Sequence, residues 1–558
     1  MESTNAHETT ATTTAAAGAD VDLISDLNDD LLLRILAFLP AANDVARTTV
    51  LSSRWRHLWS AATALRFNVG RNPKVRTSAA VESDARRLIA AADAAVTQRA
   101  GGPDVEDLEI SFIYASDDSR YLGSGAANMA SAHVAAWLRF ASRRVTGRFK
   151  LALPWRRPLA DKVLLGELPS SVRVEEMSLT LGKAIVSVPV AGAGAFPALT
   201  DLVLSDAQLH AGAGDDLRLG HLLSSLCCPR LRRLQITCVD GLAALHLDMA
   251  GTLEELRLGS LYNLVSLEVH APGLRVLGVE ACLKIVAARI SAPRLEVLAT
   301  NHIGRKERLV FDGVDSVRRI EGLELSSHRR RKHEEFNEED DEVESSAAVW
   351  LLQHCTGLNW LGVEVKMPCW RVKMHEDLEE MYKDKMTDVP PLHSIRTIKI
   401  EVTAFGSGRG RRGGHNIGAT VAKLIAKCHK IEFLSIDIWG AKKECSDLSC
   451  ICDRPKDWDK QKLSLEHLKY VKIRNFVFRY SQIRLVRLLL VSAPVLERMV
   501  VKLDLYCLED GEEVDFDLPC YGGRWVPYVW ECSELGLFVR PKGYEWIRGS
   551  KGGERASN

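Results

Sequence analysis

The chain has 558 residues, with 73 Lys+Arg against 73 Asp+Glu and a net charge of +0. That balance argues against a dedicated nucleic-acid binder, because phosphate affinity rests on clustered lysine and arginine. Its 13 cysteines, an odd number without framework spacing, fit reduced thiols of the cytoplasm or nucleus better than a secreted disulfide scaffold. No apolar run approaches the ~20 residues that span a bilayer, so no membrane partner is expected. No Lys or Arg precedes Arg34, so neither a secretory signal nor a transit peptide is expected in the Ala/Thr-rich start.

Residues 1–20 are low-complexity and expected to be a disordered tail. Residues 21–68 carry three short helical patterns. Asn28 or Asp29 can cap a helix on which Leu31, Leu32, Ile35, Leu36 and Leu39 make one apolar stripe, and Pro40 stops it. Asn43 or Asp44 can cap a second helix with Val45 and Val50 on its apolar side. Ser52 or Ser53 can cap a third, carrying Trp55, Leu58 and Trp59. Three helices this small cannot bury that much apolar surface among themselves. The surplus needs either a partner or the rest of the chain.

The words Asp22-Leu23-Ile24-Ser25, Leu31-Leu32, Ile35-Leu36, Phe38-Leu39-Pro40, Val50-Leu51-Ser52, Arg54-Trp55-Arg56 and Leu58-Trp59 resemble the F-box of plant F-box proteins. The family's Leu-Pro before the first helix is Leu27-Asn28 here. The resemblance implies docking to a Skp-type adaptor, which links to cullin and RING subunits. Leu27, Leu31, Ile35, Leu36, Leu39, Pro40, Val50 and Trp55 match the apolar family positions for that interface. Some of them must instead hold the three helices together.

Residues 69–100 read as a linker helix, with Val81, Ala85, Leu88, Ile89 and Ala92 on its apolar face. From Val105 the texture changes to short strands, and a repeat appears. Leu231-x-x-Leu234-x-Ile236, Leu253-x-x-Leu256-x-Leu258, Leu274-x-x-Leu277-x-Val279 and Leu295-x-x-Leu298-x-Thr300 start 22, 21 and 21 residues apart. A second set falls between them: Leu242-Leu245-Leu247, Leu264-Leu267-Val269 and Ile285-Ala288-Ile290. Two strand-like segments per turn leave no room for a long helix. Such repeats bury their leucines only by stacking on neighbours. The pattern resembles leucine-rich repeats and predicts an α/β chain: a three-helix F-box followed by a leucine-rich-repeat solenoid over residues 101–460.

A longer unit, helix then strand, recurs from Leu222, Leu351, Leu424 and Leu489, with Cys228, Cys355, Cys428 and Ala493 at one matching position where a small residue is wanted. Residues 461–540 resemble the FBD region that closes many plant F-box proteins with leucine-rich repeats, through their strand–helix–strand order and the word Ala493-Pro494-x-Leu496-Glu497. Residues 541–558 are expected to be a tail.

Several signals imitate chemistry. Gly408-x-Gly410-x-x-Gly413, with Asp437 beyond it, matches a dinucleotide fingerprint, but the loop 406–415 is Gly/Arg-rich and longer than the tight turn that fingerprint needs. Cys445, Cys450 and Cys452 near His429 lack paired zinc-loop spacing, so no metal is expected. Cys282 stands where leucine-rich repeats place Asn or Cys to satisfy a turn. Residues 328–346, Arg-rich then acidic, are expected to be a disordered insertion.

The resemblance thus implies a non-catalytic, cofactor-free substrate-recognition subunit of an SCF-type ubiquitin ligase, in cytoplasm or nucleus. Its F-box would bind the adaptor and its repeats an unknown protein target. The alternatives are an F-box interaction protein that delivers nothing for degradation, and a dinucleotide-dependent enzyme.

Overall fold

A computed structural model describes residues 24, 26–68, 78–112, 131–153, 164–167, 173–188, 195–209, 214–304, 306–326, 339–367, 385–403, 415–440, 452, 454–504, 518–532 and 539–549. Three helices come first: α1 (Asp29–Phe38), α2 (Ala42–Arg47) and α3 (Ser53–Ala61). An eighteen-stranded sheet then runs through the rest. From Ala64–Asn68 to Arg498–Leu503 each successive strand of its main row lies parallel to its neighbours, the order expected of a stacked solenoid.

The leucine words build this sheet directly. Leu234, Ile236, Leu256, Leu258, Leu277, Val279 and Leu298 alternate inward along strands at Arg233–Thr237, Glu255–Gly259, Val276–Glu280 and Val297–Thr300, and each is at most 1% exposed. The intermediate set forms a second parallel sheet of four strands, Ala244–Asp248, Ser266–His270, Ala287–Ser291 and Leu309–Asp312. Each repeat buries its apolar residues between the two sheets, and the next repeat covers the exposed edge. Cys238, Ser260 and Ala281 follow their strands with φ of 54, 52 and 53°. The same left-handed turn therefore recurs with the repeat.

Where the second sheet is absent, helices take its place behind the strands: Asp215–Leu222, Glu339–His354, Gly418–Ala426 and Tyr480–Ser492. At their ends Cys228, Cys355, Cys428 and Ala493 are all buried. The Cys228 thiol donates to the Leu222 carbonyl at 3.2 Å and that of Cys428 to Leu424 at 3.7 Å. A small residue fits there, and a thiol also supplies a donor to a terminal helix carbonyl.

Four expected boundaries shift. The sheet begins at Ala64–Asn68, not near residue 101: this strand pairs with Val105–Ser111, and Leu65 and Phe67 lie in the main core. The helix expected as a linker, Ser78–Gln98, is a core element, with Ala85, Leu88, Ile89 and Ala92 buried; Val81 lies outside the residues whose side chains are described. A second helix, Ser131–Arg144, packs beside it, and its Trp137 indole donates to Asp93 at 2.8 Å. Within the insertion expected to be disordered, a helix begins at Glu339. Leu351 and Leu352 anchor its end in the core. The stretch 541–548 is not tail. It belongs to the strand Val539–Arg548, which pairs antiparallel with both Gly523–Cys532 and Arg498–Leu503 and buries Trp546. This hairpin covers the last edge of the parallel sheet.

Candidate functional site

The helical module is built from its caps inward. The Leu31 amide donates to Asn28 Oδ1 at 2.9 Å, so Asn28 caps α1, and Asp29 and Asp30 stand in the first turn. The missing proline is thus replaced by a side-chain cap. Arg54 on α3 donates to Asp29 at 2.7 Å and to the Leu27 carbonyl, tying α3 to the start of α1. The second and third helices have no side-chain cap bond.

The stripe of α1 splits in two. Leu32 and Leu36 are 1% exposed and pack with Val45, Leu58 and Ala62 in a small core of their own, bordered by Leu27, Leu33, Leu39, Trp55 and Trp59. Leu31 and Ile35 are each 46% exposed, and beyond them Phe38 is 78%, Val50 85%, Leu51 64% and Ile24 56%. Among the residues expected at an interface, Leu31, Ile35, Pro40 and Val50 are exposed, and Leu27, Leu39 and Trp55 are half-buried. Leu36 is buried and holds the helices together. Phe38, Leu51 and Ile24 belong to the matching words, but periodicity alone does not mark them for an interface, because each lies at or beyond a helix end.

The module is fixed to the rest of the chain by polar side chains of the first strand and of the turn after Ser78–Gln98. Arg66 donates to the carbonyls of Ala37 and Leu39 at 2.7 and 3.0 Å, and Asn68 to that of Pro40 at 3.0 Å. Arg99, 4% exposed, donates to the carbonyls of Trp59 and Ala62 at 3.1 and 2.8 Å. Burial lowers the Arg99 pKa.

The chemical look-alikes fall into structural roles where they are described. The loop 408–413, Cys445 and Cys450 lie outside the described residues. Asp437 projects from the strand Phe433–Trp439 and pairs with Arg474 of the next strand at 3.1 Å. Cys452 is buried and accepts from the Asn416 amide at 3.4 Å. Burial pushes the thiols of Cys228, Cys355 and Cys428 up to about 12, and that of Cys282 to about 11. Cys282 Sγ lies 3.4 Å from the Glu280 carbonyl, as a turn-satisfying residue should. No helix among the described residues is long and apolar enough to cross a membrane.

The F-box domain model matches residues 24–62. A putative FBD-associated F-box protein of Arabidopsis thaliana is 51% identical over 49 residues, 9% of this chain and 11% of the relative. The Arabidopsis F-box/LRR-repeat protein 25 is 54% identical over 46 residues, 8% of this chain and 18% of the relative. An Arabidopsis F-box/FBD/LRR-repeat protein is 54% identical over 52 residues, 9% of this chain and 11% of the relative. The matches thus span less than a fifth of each relative's length, all within or beside the F-box. The chain carries an N-terminal F-box domain, followed by a solenoid of leucine-rich-repeat type.

Proposed function

We propose that this chain is the substrate-recognition subunit of an SCF-type ubiquitin ligase. Its F-box engages a Skp-type adaptor, and its solenoid engages a protein target. The observation that carries this reading is the separation of apolar residues in the module. Leu32, Leu36, Val45, Leu58 and Ala62 satisfy the internal core, while Leu31, Ile35, Phe38, Val50 and Leu51 remain on the surface. Leu31, Ile35 and Phe38 recur at i, i+4 and i+7 along one face of α1, and an exposed apolar face of this kind marks a protein interface. The adaptor-facing residues are accordingly Leu31, Ile35, Pro40 and Val50, joined by Phe38 and Leu51, with half-buried Leu27, Leu39 and Trp55 at the margin. In this role the chain positions the target for ubiquitin transfer and supplies no reacting group.

Ile35→Asp and Val50→Asp test the reading. A charge placed in an apolar interface without a partner costs several kcal/mol, against about 8 kcal/mol for a micromolar complex. Both variants are expected to melt like the parent and to lose co-purification with the Skp-type adaptor. Undiminished adaptor binding by either would refute the interface. Target half-life, followed after translation is blocked, then separates a degradative role from mere interaction: in cells carrying only Ile35→Asp it should lengthen.

A further inference from the structure

The open face of the sheet carries a row that no function so far accounts for. Along Trp360–Lys366, residues Leu361, Val363 and Val365 point inward, so Trp360, Glu364 and Lys366 face outward. In register with Glu364 stand Glu324 on one neighbouring strand and Glu401 on the other, and Asp437 continues the row on the strand after. Four carboxylates thus lie across four parallel strands roughly 4.8 Å apart. Like charges directly opposite one another destabilise a sheet, so such a row needs compensation.

Three of the four have it. Lys366 pairs with Glu324, Lys399 with Glu401, and Arg474 with Asp437. Glu364 makes no ion pair among the described residues. It is half-buried, and burial raises its pKa; Lys366 opposes that, while Glu324 and Glu401 add to it. Asp437 is 4% exposed, and its Oδ1 is buried with no hydrogen-bond partner among the described residues. Among the described residues the row therefore holds one carboxylate outside any ion pair and one buried acceptor atom unused.

Beside Glu364 lies a pocket of about 510 Å³, reaching from Glu280 to Glu401. Its wall includes Trp360, whose indole lies under the Arg319 guanidinium at 3.9 Å. A Cβ on Gly362 would come within 2.9 Å of that indole, so glycine leaves room for the ring to lie flat. Four carboxylates line the pocket (Glu280, Glu321, Glu364, Glu401) against two cations (Arg319, Lys399), an excess of two. Both cations are already engaged, Arg319 with Glu321 and Lys399 with Glu401. The chain as a whole is neutral, so this excess is local.

We propose that this pocket receives a lysine or arginine side chain from an extended segment of the target protein, with Glu364 as its counter-ion. The proposal rests on the solenoid being the target-binding half. Charge complementarity selects the occupant: a phosphate or an acidic segment would be repelled. The pocket is also larger than one ammonium group requires, and its aromatic wall accepts the aliphatic stem of such a side chain.

The test uses the full chain bound to the Skp-type adaptor, panned against a displayed library of random dodecapeptides. Enriched peptides should share one Lys or Arg, and replacing it by Gln should weaken binding at least tenfold in fluorescence anisotropy. Glu364→Gln should cause a similar loss, and the two changes combined should not multiply. Glu280→Gln, on an exposed side chain, gives an independent second variant and should weaken binding severalfold. Arg289→Ala, on the opposite sheet, should leave affinity within twofold. Thermal melting confirms that each variant is folded. The proposal is overturned if no peptide enriches, if enriched peptides lack a basic residue, if Glu364→Gln binds unchanged, or if free spermidine binds the pocket as tightly as the peptides. Adaptor retention is read in the same sample. Adaptor bound without peptide sinks this inference alone, whereas adaptor lost sinks the F-box reading and leaves the chain by itself to be panned.

Discussion

Arg66 and Asp107 stand on the first two strands of the sheet, their charged ends 2.6 Å apart, while Arg66 also donates to the last carbonyls of α1. One side chain therefore joins the edge of the solenoid to the C-terminus of the first F-box helix. Cations at a helix C-terminus are favoured by its dipole. Arg66→Ala should lower stability by about 1–3 kcal/mol, since it strands two carbonyls and one carboxylate that are largely shielded from water. The check is a urea titration with limited proteolysis between Asn68 and Val105. Unchanged stability and cleavage would mean the two parts are not coupled here.

The two neighbours Ile35 and Leu36 separate interface from core. Leu36→Ala empties part of a core of five fully buried residues and should cost about 2–5 kcal/mol. Ile35→Ala removes a side chain that is half in solvent and should change stability by less than about 0.5 kcal/mol. Circular dichroism melts of the two variants decide it. Equal destabilisation would mean that Ile35, too, is structural.

Why the solenoid could be read and its open face could not is a matter of spacing. Inward leucines repeat every 21 or 22 residues because each turn must stack on the last, so Leu234, Leu256, Leu277 and Leu298 announce themselves. Glu324, Glu364, Glu401 and Asp437 lie 40, 37 and 36 residues apart. They meet only because intervening segments of unequal length return the chain to the same register. The strand Ala64–Asn68 was hidden for a related reason: its partner begins at Val105, after a whole helix, with no repeat word to link them. On α1, periodicity found the apolar stripe but not its division. Which leucine faces inward depends on where α3 crosses, and that is tertiary information.

The repeat also shows where it is imperfect. Thr300 occupies the third inward position that Ile236, Leu258 and Val279 fill in earlier turns. It is 1% exposed, and its hydroxyl has no hydrogen-bond partner among the described residues. Valine has the same shape without the stranded polar atom, so Thr300→Val should stabilise the chain by about 1 kcal/mol. A rise in the urea midpoint at constant slope is the expected readout. A fall would show that the hydroxyl is satisfied in solution.

The buried cysteines give the chain an alkaline weakness. The thiols of Cys228, Cys355 and Cys428 are pushed by burial from 9.0 up to about 12. The folded state therefore keeps protons that the unfolded chain releases above pH 9. Unfolding releases protons in that range, so stability present below pH 9 is lost as pH climbs towards 12. Cys428→Ala should make the decline between pH 8.5 and 10.5 shallower than in the parent. In the folded protein these thiols should resist iodoacetamide at pH 8.5, while the exposed Cys520 reacts. Rapid alkylation of Cys428 without unfolding would contradict the packing described.

The last prediction concerns where the F-box can be removed. On sequence grounds a cut near Val69 would free the repeats, because they were expected to begin near Val105. The structure places Leu65 at 0% exposure and Phe67 at 7%, on a strand that covers the edge of Val105–Ser111. A chain beginning at Val69 loses those two side chains and bares the strand behind them, an open invitation to edge-to-edge association. One beginning at Thr63 keeps the strand and also the Thr63 carbonyl that accepts from the amides of Glu106 and Asp107. The longer chain should therefore be monomeric and melt well above the shorter one, which should aggregate on concentration. Light scattering and thermal melting of the pair measure this. With the strand kept, the shortened protein should hold its target without the ligase, so the target's half-life should lengthen in cells that express it. If the two truncations melt alike and stay monomeric, Ala64–Asn68 is not a working part of the solenoid, and the boundary at residue 69 stands.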